Sequence, residues 1–144
     1  MATNLFPQEV LTAISQASAA TAALAAGKGP GHFPIATQAV LSDATIATYI
    51  ASAAGAITAA QAVLGTAVTG DRTTEVAVKI GGVSIYTVKP LVNAAAGTNS
   101  VPGTLDGTKL AFIKGSVITV INDYTAGTGG GGGNLAVDVG YQLS

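Results

Sequence analysis

The spacing of apolar residues changes near Gly70, and this change constrains the fold more than any other feature of the 144-residue chain. Before Gly70, apolar residues lie three or four positions apart in a background of Ala, Ser and Thr, which is the spacing of a helix face. From Thr73 to Ser144, Val, Ile and Thr alternate with polar residues and Gly, as in half-buried strands. The sequence therefore predicts an α+β fold, with a helical segment at 1–70 followed by an antiparallel β domain of sandwich or barrel type at 71–144.

Two helices are predicted in the first segment, at about 7–26 and 43–64. Pro7 suits the first position of a helix, because its missing N–H would have no helical partner there. Ser42 has the side chain of a helix N-cap, and Gly65 marks the end of the second helix. The segment from Ala44 to Gly70 carries no charge, but large aliphatic residues are too sparse in it for a membrane span, so packing within a soluble protein is predicted.

The second predicted helix has two distinct faces. Small residues recur every four positions on one face, at Ala51, Gly55 and Ala59, and predict close packing against another helix. The opposite face is an apolar stripe that consists of Ile46, Tyr49, Ile50, Ala53, Ile57, Ala60 and Leu64.

The second segment contains clear strand and turn patterns. Gly81 and Gly82 separate two segments rich in Val, Ile and Thr, and they predict a hairpin with a two-residue turn. Another hairpin is predicted across Lys114 and Gly115, with one long bent strand as the alternative. Leu135–Leu143 alternates cleanly and predicts the last strand. The loop at 125–134 contains five consecutive glycines and is predicted to be either mobile or held by a neighbour.

The surface of this chain has very little charge. Charged residues make up 9% of the sequence, against about 25% in average domains, and the net charge is -1 with a mean hydropathy of +0.53. Such a surface favours burial against other protein, so a homo-oligomer, either a dimer or a trimer, is predicted. The candidate interface residues are Ala51, Gly55 and Ala59, together with Arg72 and Glu75, which are candidates for a salt bridge between subunits.

Sites for chemistry are scarce in the sequence. There is no Cys and only one His, His32, without a carboxylate nearby in sequence, so no metal site is predicted. Gly27–Gly31 lacks the spacing of a phosphate-binding loop, and the net charge argues against nucleic acid as a partner. Asp106 and Asp123 are predicted to form turns, and Asp138 to face outward from its strand. We therefore predict no catalytic residue, no cofactor and no enzymatic activity; no secretory signal is expected either.

The chain resembles virion structural proteins of tailed bacteriophages. Its strand Gly115–Val120, followed by an exposed loop and the closing strand Leu135–Leu143, is similar to the β-rich bodies of capsid decoration, or cement, proteins. The resemblance implies a non-enzymatic oligomer on the capsid surface, assembled in the host cytoplasm, whose partner is the major capsid protein or another virion subunit. Tail, baseplate or connector components, and self-assembling surface or adhesin subunits, are the alternatives.

Overall fold

A computed structural model describes residues 29–93 and 103–144, and these residues form strands and no helix. The predicted α+β fold with a helical half is therefore wrong. The helix predicted at 43–64 is replaced by two strands, and the helix predicted at 7–26 lies outside the described residues. Strands from both sides of Gly70 belong to the same two sheets, so the described part of the predicted helical segment is built into the β fold.

The strands are short at the edges of the sheets and long at their centres. In chain order they are β1 (Pro30–His32), β2 (Ala36–Val40), β3 (Ala44–Ile50), β4 (Gly55–Thr66), β5 (Thr73–Ile80), β6 (Val83–Ser84), β7 (Tyr86–Val88), β8 (Thr104–Leu105), β9 (Ala111–Phe112), β10 (Val117–Thr125) and β11 (Gly133–Leu143).

All strand pairs within the described residues are antiparallel. In the first sheet, sheet A, β11 pairs with β4 along one edge and with β2 and β1 along the other, while β9 extends the far edge of β4. In sheet B the order is β3-β10-β5-β6. Strands β7 and β8 form a separate pair.

One hydrophobic core joins sheets A and B into a sandwich. Alternate residues of the central strands point into it, as expected for strands with one buried face. The fully buried aliphatic residues are Ile57 and Leu64 on β4, Val76 and Val78 on β5, Ile118 and Val120 on β10, Leu135, Val137 and Val139 on β11, and Ile85 and Val92 in the segments that follow β6 and β7.

A β-bulge in β3 imitates helical spacing. Ala47 pairs with Val120 of β10, but the next pair joins Thr45 to Ile121, so Ile46 is an extra residue on β3. A bulge of this kind places one additional residue in the strand and shifts its alternation by one. Ile46 and Tyr49 are consequently both partly buried against the core although they lie three positions apart.

A second bulge, in β4, also imitates helical spacing. Tyr141 of β11 pairs with Ile57, whereas Gly140 pairs with Ala59, which leaves Thr58 as the extra residue. The inward positions therefore run from Ile57 to Ala60, and from there in steps of two. Each bulge thus produces a step of three between inward positions, Ile46 to Tyr49 and Ile57 to Ala60, and this helix-like spacing is the physical reason why the helix predicted at 43–64 is wrong.

The outcome for the two predicted hairpins differs. The hairpin at Gly81 and Gly82 is confirmed, because Ile80 pairs with Val83 and both glycines have positive φ, at 57° and 85°. The hairpin across Lys114 and Gly115 is wrong. Strand β9 pairs with β4 of sheet A, and β10 pairs with β3 and β5 of sheet B, so this turn carries the chain from one sheet to the other.

The glycine-rich loop is held by the turn between β4 and β5 of the same chain. Gly130 N–H donates to Thr69 Oγ1 at 2.7 Å, and Thr69 N–H donates to the Gly130 carbonyl at 3.1 Å. Close approach explains the glycines, because a Cβ on Gly132 would lie 2.6 Å from the Thr66 carbonyl oxygen. The neighbour that holds this loop is thus a second loop of the same fold.

Candidate functional site

The three small residues predicted to line a helix interface do not share one face. Ala51 is buried in the loop after β3, where its N–H donates to the Ser116 carbonyl at 2.9 Å. Gly55 is buried at the start of β4, with the Gln142 carbonyl oxygen 2.5 Å from where a Cβ would stand. Only Ala59 is exposed, on the outer side of β4. Because this segment is not a helix, the helix pairing predicted through these residues does not form.

The two charged candidates have partners within the described chain. An Arg72 guanidinium nitrogen donates to Tyr124 Oη at 2.8 Å, and a Glu75 carboxylate oxygen lies 3.0 Å from Lys89 Nζ. Neighbouring Asp71 accepts from Thr128 Oγ1 at 2.9 Å, and this hydrogen bond lowers the pKa of Asp71. The salt bridge between subunits stays a prediction, and these residues contribute to contacts inside the fold.

The outer face of sheet A is a broad surface of small, mostly uncharged side chains. Ala136 lies at its centre, between Val63 of β4 and Thr37 of β2. Ile35 is 62% exposed and borders a shallow depression on this face. We call this surface the charge-poor face; its residues are Ile35, Thr37, Ala39, Ala59, Gln61, Val63, Asn134, Ala136 and Asp138.

The one carboxylate of the charge-poor face is paired with the imidazole of His32. Asp138 Oδ1 lies 3.0 Å from His32 Nδ1, at the pairing of β1 with β11. Asp138 faces outward, as predicted, but the pairing with His32 was not expected, because the two residues lie 106 positions apart. The face therefore carries a single carboxylate, and its only polar contact given by the structure is to an imidazole of the same chain.

The outer face of sheet B has the opposite character. Lys89 Nζ lies 2.6 Å from Asp123 Oδ2 and 3.0 Å from Glu75 Oε2, and Lys79 lies further along the same strand as Glu75. Asp123 is part of β10 and not of a turn, so the turn predicted there is wrong, whereas Asp106 forms its predicted turn. Of the four charged side chains carried by the described strands of the two sheets, three (Glu75, Lys79 and Asp123) are on sheet B and one (Asp138) is on sheet A, and charged side chains are typical of a face in contact with water.

Four aromatic residues meet at one end of the sandwich. Phe33 stacks on Tyr49 with ring centroids 5.1 Å apart, and its ring lies 4.7 Å from Tyr141 and 6.2 Å from Phe112. They line an open pocket of about 490 Å³ together with Leu143 and the loop after β3. This cluster is not predicted from the sequence, because its members are far apart in the chain; the inward position predicted for Tyr141 on the last strand is the one signal.

The rim of this pocket is aliphatic and uncovered within the described residues. Ile50 lines the pocket and is 72% exposed, and Val117, its cross-strand partner, is 43% exposed; Ile113, which follows the lining residue Phe112 in the chain, is 72% exposed. The turn that contains Ile113 is fixed against the rim, because Gly115 N–H donates to the Ala51 carbonyl at 2.8 Å. We call the aromatic pocket and its rim the apolar end. Exposed apolar surface of this kind is a sign of a binding site.

Ionisable groups do not gather into a metal-binding cluster in the described ranges. Among residues 29–93 and 103–144, no three His, Asp or Glu side chains lie close enough to hold a metal ion. The same residues contain no helix that could cross a membrane. Both surfaces described above are suited to binding through shape and apolar contact.

Comparisons with protein-family models, with curated proteins and with solved structures find no match to this chain.

Proposed function

We propose that the protein is a non-enzymatic structural subunit of a tailed-bacteriophage virion, and that it binds the capsid shell as a decoration or cement protein. The sequence resemblance supports the class of partner, and the fold supports the choice of docking surface. The partner is the major capsid protein or another virion subunit, and the charge-poor face is the surface that docks on it. The proposed location is the outer capsid surface, reached after assembly in the host cytoplasm.

The observation that carries this proposal is the difference in charge between the two outer faces of the sandwich. Sheet B presents Glu75, Lys79, Lys89 and Asp123, whereas sheet A presents Asp138 alone, next to His32. Protein interfaces are depleted of Lys, Glu and Asp at their centres relative to the rest of the surface. The asymmetry favours an orientation with sheet A on a protein partner and sheet B toward water.

The side chains of the charge-poor face suit an extended contact. Its central side chains, Ala136, Val63 and Thr37, are small, and exposed Ile35 offers an apolar anchor at the margin. Each such contact is weak. An oligomer that binds several shell subunits at once combines these weak contacts. A charge-poor surface can therefore bind tightly through avidity.

Co-sedimentation with capsids tests this function. Purified protein is mixed with tailed-phage capsids stripped of their accessory proteins, and bound protein is measured against total protein. We expect saturable binding at a fixed copy number per capsid. Ala136→Glu is expected to abolish it, because a carboxylate at the centre of the contact would be desolvated without a partner.

Thr119→Glu is the matched control, since Thr119 lies on the outer face of sheet B opposite Lys79. This variant carries the same added charge and is expected to bind like the unmodified protein. If the protein forms a discrete soluble oligomer that ignores capsids, the decoration role is wrong and a tail or connector role becomes the better proposal. If Thr119→Glu also abolishes binding, the docking face has been wrongly assigned.

A further inference from the structure

We propose that the apolar end is a binding site for the N-terminal segment, residues 1–28, of the same chain. The site is the aromatic pocket lined by Phe33, Tyr49, Phe112 and Tyr141, with its aliphatic rim. The occupant is an apolar stretch of the protein's own polypeptide. This self-contact is separate from the charge-poor face and does not depend on capsid binding.

The pocket has the chemistry of a site for uncharged, apolar groups. Its lining contains no carboxylate, Lys or Arg, and His32 at its margin already contacts Asp138. The Tyr49 hydroxyl donates to the Pro34 carbonyl and is therefore occupied. With Ile50 and Ile113 both largely exposed at the rim, covering the pocket would remove apolar surface from water, at about 25 cal/mol for each Å² buried.

The N-terminal segment has matching chemistry. Residues 10–27 carry no charge and include Leu11, Ile14 and Leu24 among many Ala residues. These large apolar side chains are too few to form a core of their own, so the segment gains most by packing against an existing apolar surface. Residues 10–27 of the segment and the lining of the pocket are thus both apolar and without Lys, Arg, Asp or Glu.

The segment joins the described part of the chain at a residue beside the pocket. Gly29 is buried, and its carbonyl accepts a hydrogen bond of 3.0 Å from the N–H of Leu143, a residue that lines the pocket. Because a segment joined to the fold so close to its site has an effective concentration of about mM, the chain's own segment is favoured over that of a second copy.

Site-directed cross-linking of the full chain tests the proposal, and the absence of native Cys makes the test clean. Cysteine replaces Ser52 at the pocket, and a second cysteine replaces Ala20, Ala23 or Leu24 in turn. A short bismaleimide is then added. We expect at least one pair to form an intrachain cross-link, seen as a monomer of altered electrophoretic mobility whose yield is independent of protein dilution.

The control pairs the same N-terminal cysteines with Thr125→Cys, at the opposite end of β10 from the pocket. These pairs are expected to give little intrachain product. Equal yields from both sites, or none from Ser52→Cys, would overturn the proposal. Cross-linked dimers whose yield falls on dilution would also overturn it, because they would identify the segment of a second copy as the occupant.

An apolar dye provides an independent readout on the folded, full-length protein. The variant Leu11→Asp/Ile14→Asp/Leu24→Asp places charges in the uncharged run, and Thr3→Asp lies outside that run as the control. We expect a severalfold rise in dye fluorescence for the triple variant and none for the control. Adding Ile50→Ser to the triple variant should suppress the rise, and an unchanged signal in the triple variant would contradict the proposal.

Discussion

The side-chain amide of Asn122 donates a hydrogen bond of 2.7 Å to Oε1 of Gln38, across the interior between the two sheets. Asn122 is fully buried on β10 of sheet B, and Gln38 is on β2 of sheet A. The amide of Gln38 continues the connection by donating to Ser42 Oγ at 2.9 Å. This short polar chain ties the edge of sheet A to the centre of sheet B.

Removing one member of this pair should destabilise the fold. Gln38→Ala leaves the buried Asn122 amide without its partner, and we expect the free energy of unfolding to fall by about 1–3 kcal/mol. Asn122→Ala should cost a similar amount. Because the two side chains act through one contact, the double variant should lose less than the sum of the single losses. Urea unfolding measures all three, and strict additivity would contradict the coupling.

Substituting a glycine of the glycine-rich loop should also cost stability. In Gly132→Ala the new Cβ would stand 2.6 Å from the Thr66 carbonyl oxygen and 2.9 Å from the Val68 amide nitrogen, so the loop must move away from its neighbour. Gly107→Ala is the matched control, since no atom lies within 4 Å of its added Cβ. Thermal unfolding should show a loss of about 1 kcal/mol or more for Gly132→Ala. An equal effect at Gly107 would argue against the close packing of the loop.

The fold should lose stability at alkaline pH through Tyr86. Burial raises the pKa of Tyr86 to about 12, above the unfolded value of about 10. The contribution of the neutral phenol is therefore fully present below pH 10 and is lost as the pH rises through 12, by about 2–3 kcal/mol in total. Urea unfolding between pH 9 and 12 measures it. Tyr86→Phe should flatten this part of the profile, and a profile identical to that of the unmodified protein would exclude Tyr86 as the cause.

Acid should weaken the turn at Asp106, because the pKa of this carboxyl is lowered in the folded protein, whereas that of Tyr86 is raised. Hydrogen bonds from Thr108 and Lys109 lower the pKa of Asp106 to about 2. Its stabilising contribution is present above the unfolded value of about 4 and is lost as the pH falls toward 2. NMR titration of the carboxyl carbon reports this pKa directly. Thr108→Val removes the largest cause and should move the pKa upward, whereas an unchanged value would contradict the role of that hydrogen bond.

Strand patterns could be predicted from the sequence where alternation is unbroken. Leu135, Val137 and Val139 follow a strict period of two, and all three are buried as expected. In β3 and β4 the bulges at Ile46 and Thr58 break that period. A bulge depends on which strand lies opposite, and pairing between distant segments leaves no local signal, so a high Ala content and steps of three or four favoured the wrong structure.

The candidate surfaces could be predicted only in their general chemistry. Low charge was visible in the composition, and it indicated contact with other protein. The position of the charge-poor face on sheet A depends on the pairing of Ala136 with Val63 and Thr37. This pairing brings three separate segments of the chain together. The aromatic pocket likewise combines residues from four segments, and no sequence spacing brings Phe33 and Phe112 together.

Thiol labelling on the particle tests the central claim most directly, since each variant carries a single reactive group in a protein without native Cys. Ala136→Cys reports on the charge-poor face, and Thr119→Cys, a partly buried position on the outer face of sheet B, is its matched counterpart. Maleimide labelling rates are compared between free and capsid-bound protein. We predict strong protection of Ala136→Cys on the capsid and an unchanged rate for Thr119→Cys. Equal labelling of Ala136→Cys in both states would show that the charge-poor face is not the surface buried on the shell.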